Sequence, residues 1–406
     1  MRRVDSGMRR KLLRNHPHKE PSLFKTCPLK LKACLALLPF FLLSVSAIAN
    51  GQAPGPPSDL ISVVTPLPPT FFGLNVNQPT TPWPLIPFGS YRFWDDGVRW
   101  DEVNPARGTF TWSVLDAWAS TLAKHGVKDT LYELSATPVW ASPVPTDTSC
   151  DYADEGLPGS CYAPYDLISD GTGSNQIWRT WVAGVGEHMK TSPVHVVAWG
   201  IWNEFTRQPN TGETPISWKG TNQQMVRMAE DARCILTGRG SITATGESCQ
   251  QVMASVGRSS PIDATTLILT PSAGWNSIII ASNWTSYYTT PGASRAAEAF
   301  ALHDYVSSAD LAVGLAKDFR NHLTAPDQKK PLWVTEGAWA PGTITDPKLQ
   351  ANYLTKTYMG FAQLGIARFY WYSYDNTIWG TLWTVGGGLT PAGQAYGAAY
   401  RSMVGK

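Results

Sequence analysis

Histidine is scarce in this chain: there are seven in 406 residues, and two of them, His16 and His18, precede residue 50. The other five form neither a His-Glu-x-x-His motif nor a His-x-His pair. That argues against a metal-dependent hydrolase, which needs clustered His and carboxylate ligands. No Cys-x-x-Cys pair occurs, so a zinc site is not expected either. The apolar run 33–49 is shorter than the ~20 residues a spanning helix needs, and Pro39, Ser44 and Ser46 interrupt it. Charge is sparse too, at 16% of residues. Beyond residue 49 acidic side chains outnumber basic ones by six, so a basic face for nucleic acid or anionic membrane is missing. No repeat of fixed period is present, and no second domain is predicted.

What the chain has is export features and aromatic residues. Residues 1–32 carry ten Lys or Arg against Asp5 and Glu20. The apolar run follows and ends in Ala47-Ile48-Ala49. A basic region, a short apolar core and a small-x-small end read as a signal peptide over 1–49, cleaved after Ala49. Met8 is a second candidate start. Residues 50–69, rich in Pro and Gly, read as a linker or extended arm before a catalytic domain over 70–406. Cys27 and Cys34 fall in the leader, leaving Cys150, Cys161, Cys234 and Cys249. An even number in an exported protein points to disulfides. Of three possible pairings, short loops favour Cys150–Cys161 and Cys234–Cys249. The product is expected to be a secreted monomer, extracellular or periplasmic, with no membrane insertion once the leader is removed.

Eight short, continuously apolar or aromatic runs read as buried parallel strands. They cover 71–75, 91–94, 130–135, 196–202, 266–270, 299–303, 332–335 and 367–372. Amphipathic patterns between them predict helices over 113–125, 177–189, 223–236, 308–323, 349–364 and 394–403. Residues 76–90 hold too many Pro, Gly and turn residues for a normal first helix. Eight alternating units predict an α/β fold, a (β/α)₈ TIM barrel with a single catalytic domain.

Such barrels carry their chemistry at the C-terminal ends of the strands. Two strands there deliver a glutamate, in Trp202-Asn203-Glu204 and in Thr335-Glu336-Gly337. A carboxylate at the end of an apolar strand costs desolvation energy unless it is paired or used. Each alone fits a salt bridge or a helix cap; two on one barrel, at strands four and seven, point to catalysis. The pattern resembles clan A glycoside hydrolases, retaining β-glycosidases on TIM barrels, most like family 39 and next family 5. The resemblance implies Glu204 as acid/base and Glu336 as nucleophile. It implies that Arg92 lies near the nucleophile, that His303 and Tyr305 form a His-x-Tyr motif whose tyrosine bonds the nucleophile, and that Trp371 stacks on sugar.

Elementary chemistry gives these groups the same work. Glycoside cleavage needs a protonated carboxyl beside the leaving oxygen and an ionised one beneath the anomeric carbon. Asn203 would hold the sugar 2-hydroxyl, and Arg92 and Tyr305 would keep Glu336 ionised. An ionised Glu336 would in turn keep Glu204 protonated. Trp83, Trp140 and Trp339 are expected in rim loops as further sugar contacts, and Glu133 in a structural role. A carbohydrate is therefore the expected partner, with no cofactor and no metal. A barrel that binds carbohydrate without cleaving it is the alternative. Xylosides, galactans, arabinosides and glucans all fit the constellation.

Overall fold

The structure is a computed structural model that describes residues 66–205 and 217–405. The expected signal peptide, and the expected linker up to residue 65, lie outside the described residues. Among the described residues, eight barrel strands alternate with helices. They are β1 (Phe72–Leu74), β2 (Ser90–Phe93), β3 (Asp129–Glu133), β4 (His195–Gly200), β5, β6 (Phe300–Val306), β7 (Leu332–Trp339) and β8 (Arg368–Trp371). The strand β5 runs in two pieces, Leu267–Leu269 and Ala273–Gly274. Pro271 lies between them and cannot donate to a ladder.

All neighbours in this sheet pair in parallel, and β1 pairs with both β2 and β8. The first piece of β5 also meets β6 through a Leu269–Ala299 bridge, which closes the barrel. Leu131, Ala198, Leu269, Ala301, Trp333 and Tyr370 pack together as its inner core. A much larger aromatic core lies between the barrel and the helices.

The helices are α1 (Trp100–Val103), α2 (Ser113–Lys124), α3 (Gln176–Lys190), α4 (Asn222–Thr237), α5 (Cys249–Ser255), α6 (Ile278–Tyr288), α7 (Ala309–His322), α8 (Pro347–Gln363) and α9 (Pro391–Met403). The six expected helices are present with ends shifted by a few residues. No helix joins β1 to β2, and no described helix is long and apolar enough to cross a membrane. Three helices were not expected. Of these, α6 begins Ile-Ile-Ile and continues through Asn283-Trp284-Thr285, β-branched and polar residues that weaken a helical reading. Its start is fixed by Ser277, whose hydroxyl accepts the Ile280 N–H.

Both short-loop disulfides are formed, Cys150–Cys161 and Cys234–Cys249. The first lies in the β3–α3 loop, on the side of the barrel where the strands end. The second ties α4 to the start of α5. It closes a 15-residue separation, for which loop closure predicts about 3 kcal/mol of stabilisation. Replacing Cys234 and Cys249 by serine is therefore expected to lower the unfolding free energy by about that amount and to shift the urea midpoint down accordingly. An unchanged midpoint would mean the bond does not hold these helices together.

Candidate active site

Four strand ends converge on one carboxylate. Glu336 lies on β7, almost fully buried, and both its oxygens are engaged. Arg92 of β2 donates from Nη1 to Oε1 at 2.5 Å, and Tyr305 of β6 donates its hydroxyl to Oε2 at 2.6 Å. The other Arg92 nitrogen, Nη2, reaches Glu133 of β3 at 3.1 Å and Asn203 Oδ1, just past β4, at 2.7 Å. One buried guanidinium thus joins three strand ends to the carboxylate. Glu133, expected in a structural role, is the second anion facing this cation. A side chain at Gly200, its partner across β3 and β4, would overlap the Glu133 carboxylate.

The titration of Glu336 follows from these neighbours. Burial pushes its carboxyl up. The charges of His303 and Arg92 and the hydrogen bonds from Tyr305 and Arg92 outweigh burial, so it lies below its ordinary value.

Glu204 has a different setting. Its side chain is 37% exposed, against 5% for Glu336. Its backbone is left-handed, φ 51°, which costs a non-glycine residue on the order of 1 kcal/mol. Three serine contacts hold it there. Asn203 N–H donates to Ser135 Oγ at 2.9 Å, and Glu204 N–H donates to Ser272 Oγ at 2.8 Å. The Ser217 hydroxyl donates to the Glu204 carbonyl. His303 lies between the two glutamates, its Nδ1 at 3.1 Å from Glu204 Oε1 and 3.4 Å from Glu336 Oε2. These three ligand-type atoms all lie within 4.8 Å of one another. Arg92 and Tyr305 already occupy both Glu336 oxygens, which makes this a poor nest for a cation.

Trp371 must be corrected. It is fully buried, packs on Trp339, Tyr353 and Tyr358 on the helix side of the barrel, and donates its indole N–H to the Gly380 carbonyl at 2.6 Å. No face is left for a sugar. Trp339 is likewise buried, inside β7 rather than in a rim loop. Trp83 stacks on His125, which caps α2 ahead of β3, at the opposite end of the barrel. Trp140 is half-buried in the β3–α3 loop and donates to the Asn104 carbonyl.

Other aromatic groups stand nearer the carboxylates. Trp379, beyond β8, is half-buried and meets the Tyr305 ring edge-on at 4.6 Å. Tyr152 accepts a hydrogen bond from Asn203 Nδ2 at 2.9 Å. Tyr372 donates to Asp95, a fourth carboxylate just past β2, which also accepts from Asn77. Desolvation and the Glu336 charge push Asp95 up to about 7, against the Tyr372 hydrogen bond and the charges of Arg99 and Arg92. Trp379 and Tyr152 carried no strand-end signal in the sequence, because they come from loops. Tyr372 and Asp95 were within reach, Tyr372 as the last residue of the expected strand 367–372 and Asp95 three residues past Arg92.

No protein-family model and no curated protein matches the chain. Solved structures do. A family 39 glycoside hydrolase from Xanthomonas axonopodis pv. citri superposes over 85% of this chain and 69% of its own, with 16% identity and TM-score 0.54. A family 39 β-xylosidase from Caulobacter crescentus covers 83% and 72%, with 17% identity and TM-score 0.52. The family 5 protein ZgEngAGH5_4 covers 82% and 96%, with 13% identity and TM-score 0.50. The chain spans between 64% and 72% of the family 39 structures. Its structural neighbours are thus clan A glycoside hydrolases of families 39 and 5, and it shares their α/β TIM-barrel fold.

Proposed function

We propose that this chain is a secreted, retaining glycoside hydrolase that cleaves β-linked oligo- or polysaccharides with Glu336 as nucleophile and Glu204 as acid/base. Residues 1–49 direct export, 50–69 form an arm, and 70–406 form the catalytic domain. One observation carries the reading. Two glutamates on the strand-end face bring oxygens within 4.8 Å of each other, one pinned and buried, the other half-open. Retention calls for carboxyl groups about 5–5.5 Å apart, and inversion for about 6.5–9.5 Å.

In the first step Glu336 attacks the anomeric carbon while Glu204 gives its proton to the leaving oxygen. A glycosyl ester forms on Glu336 and the aglycone departs. In the second step Glu204 takes a proton from water, which attacks the same carbon and frees Glu336. Arg92 and Tyr305 keep the nucleophile ionised and aimed, and Asn203 meets the sugar 2-hydroxyl. His303, in reach of both glutamates, orients Glu204. Trp379 offers an aromatic face at the mouth.

The test is a panel of aryl β-glycosides beginning with xylosides and glucosides, since neighbours include a β-xylosidase and a glucosidase. Hydrolysis with a β product, seen by proton NMR before mutarotation, is the expected result. Binding of oligosaccharides with no product over days would favour a carbohydrate-binding barrel instead.

The pH profile gives a second check. Glu336 works ionised, and its carboxyl lies below the ordinary glutamate value of about 4.3. Activity on an activated aryl glycoside is therefore expected to persist into acid and to fall only below that value. Tyr305→Phe removes one of the groups that lowers it, so the acid limb of kcat/KM should move to higher pH. The lost hydrogen bond to a charged group should also cost about 10- to 100-fold in kcat/KM. An unmoved limb would mean Tyr305 does not tune the nucleophile.

A further inference from the structure

We infer that Tyr152, carried on the disulfide-closed segment 150–161, is a positioning residue for Asn203 in the reaction proposed above, on which this inference rests. Asn203 has one acceptor and two donor hydrogens at its amide. Its Oδ1 accepts from Arg92 Nη2 at 2.7 Å, and its Nδ2 donates to the Tyr152 hydroxyl at 2.9 Å. A flipped amide would set donor against donor at Arg92, so the two contacts fix its sense. The second Nδ2 hydrogen is then held in one direction, free for the sugar 2-hydroxyl beside Glu204.

The loop that carries Tyr152 is anchored at several points. Cys150 and Cys161 are bonded, and the Cys161 carbonyl accepts from Lys219 N–H at 2.6 Å. Lys219 Nζ returns to Asp147 at 2.6 Å. On the cleft side the Tyr152 ring meets Trp94 edge-on at 5.7 Å and lies under the Arg99 guanidinium at 5.4 Å. Arg99 in turn binds Glu155 of the same loop at 2.6 Å. The loop therefore reaches the candidate site through one side chain held from both ends. Tyr152→Phe keeps the ring and its packing and removes only the hydroxyl that orients the amide.

Because the 2-hydroxyl contact strengthens as the oxocarbenium ion forms, the loss should fall on kcat rather than KM. The experiment compares wild type and Tyr152→Phe on a p-nitrophenyl β-glycoside that the wild type cleaves and on its 2-deoxy counterpart. We expect kcat to fall about 5- to 10-fold on the parent glycoside, the size of one lost neutral hydrogen bond. On the 2-deoxy substrate we expect less than 2-fold, roughly, since the contact that Tyr152 supports is absent there. Cys150→Ser with Cys161→Ser should give the same substrate-selective pattern, because it releases the loop from its anchor. Equal losses on both substrates, or none on the parent, would overturn the role of Tyr152 while leaving the glycosidase reading intact. No hydrolysis of any β-glycoside by the wild type would overturn both.

Discussion

Glu336→Ala is expected to abolish turnover on every β-glycoside, activated or natural, by at least about 10⁴-fold in kcat. In the proposed mechanism the covalent intermediate forms on this carboxylate, so no leaving group, however good, would bypass it. The fold should survive the change. Arg92 faces two buried carboxylates, Glu133 and Glu336, and removing one leaves it paired with the other and with Asn203. The opposite substitution is costlier: without Arg92, two buried anions would lose their shared cation, a loss of about 3–5 kcal/mol. Thermal unfolding of Glu336→Ala should therefore match the wild type while activity vanishes. If Glu336→Ala keeps more than a few per cent of wild-type turnover on a natural substrate, Glu336 is not the nucleophile.

The strands were legible because each is an apolar run of the right length, and their order follows from short alternating connections. Two register slips were not. Along β7, Leu302 faces Val334 but His303 faces Glu336, so Thr335 is an extra residue in the ladder. Strict alternation from the inward Trp333 would have sent Thr335 inward and Glu336 toward the helices. The slip reverses that parity. A similar slip at Val197 precedes Asn203 and Glu204 on β4. Hydrophobic pattern does not encode such slips. The glutamates were found by motif and resemblance instead.

Trp371 shows the same rule from the other side. Tyr370 belongs to the inner core of the barrel, so its neighbour Trp371 must face the helices. A motif match alone did not weigh that parity. Tyr152 was hidden for a different reason. The Cys150–Cys161 pairing was readable as a tied loop, but nothing in the spacing says which side chain of that loop turns toward Asn203.

Glu204→Ala should behave unlike Glu336→Ala, and the difference separates the two roles. In the proposed mechanism Glu204 gives a proton to the leaving oxygen in the first step. A dinitrophenolate leaves without that help, so Glu204→Ala should still form the glycosyl ester quickly on a dinitrophenyl β-glycoside. The second step needs a base to activate water, and that base is gone. The expected trace is a burst of one phenol per enzyme followed by slow turnover. On a natural substrate, whose leaving group is poor, kcat should fall by about 10²- to 10⁴-fold with no burst. Azide is small and already ionised, so it can attack the ester without a base. The half-open position of Glu204 gives it a route in, since the side chain that alanine would vacate is already partly exposed. Azide should therefore speed the slow phase and yield a β-glycosyl azide, because two inversions give net retention. In Glu336→Ala no ester forms, so azide could act only by displacing an activated leaving group directly from the vacated side, and one inversion would give an α-glycosyl azide. An α-configured azide from Glu204→Ala would point to a single displacement. A variant with neither burst nor rescue on activated substrates would remove Glu204 from the acid/base role, whatever the fate of Glu336.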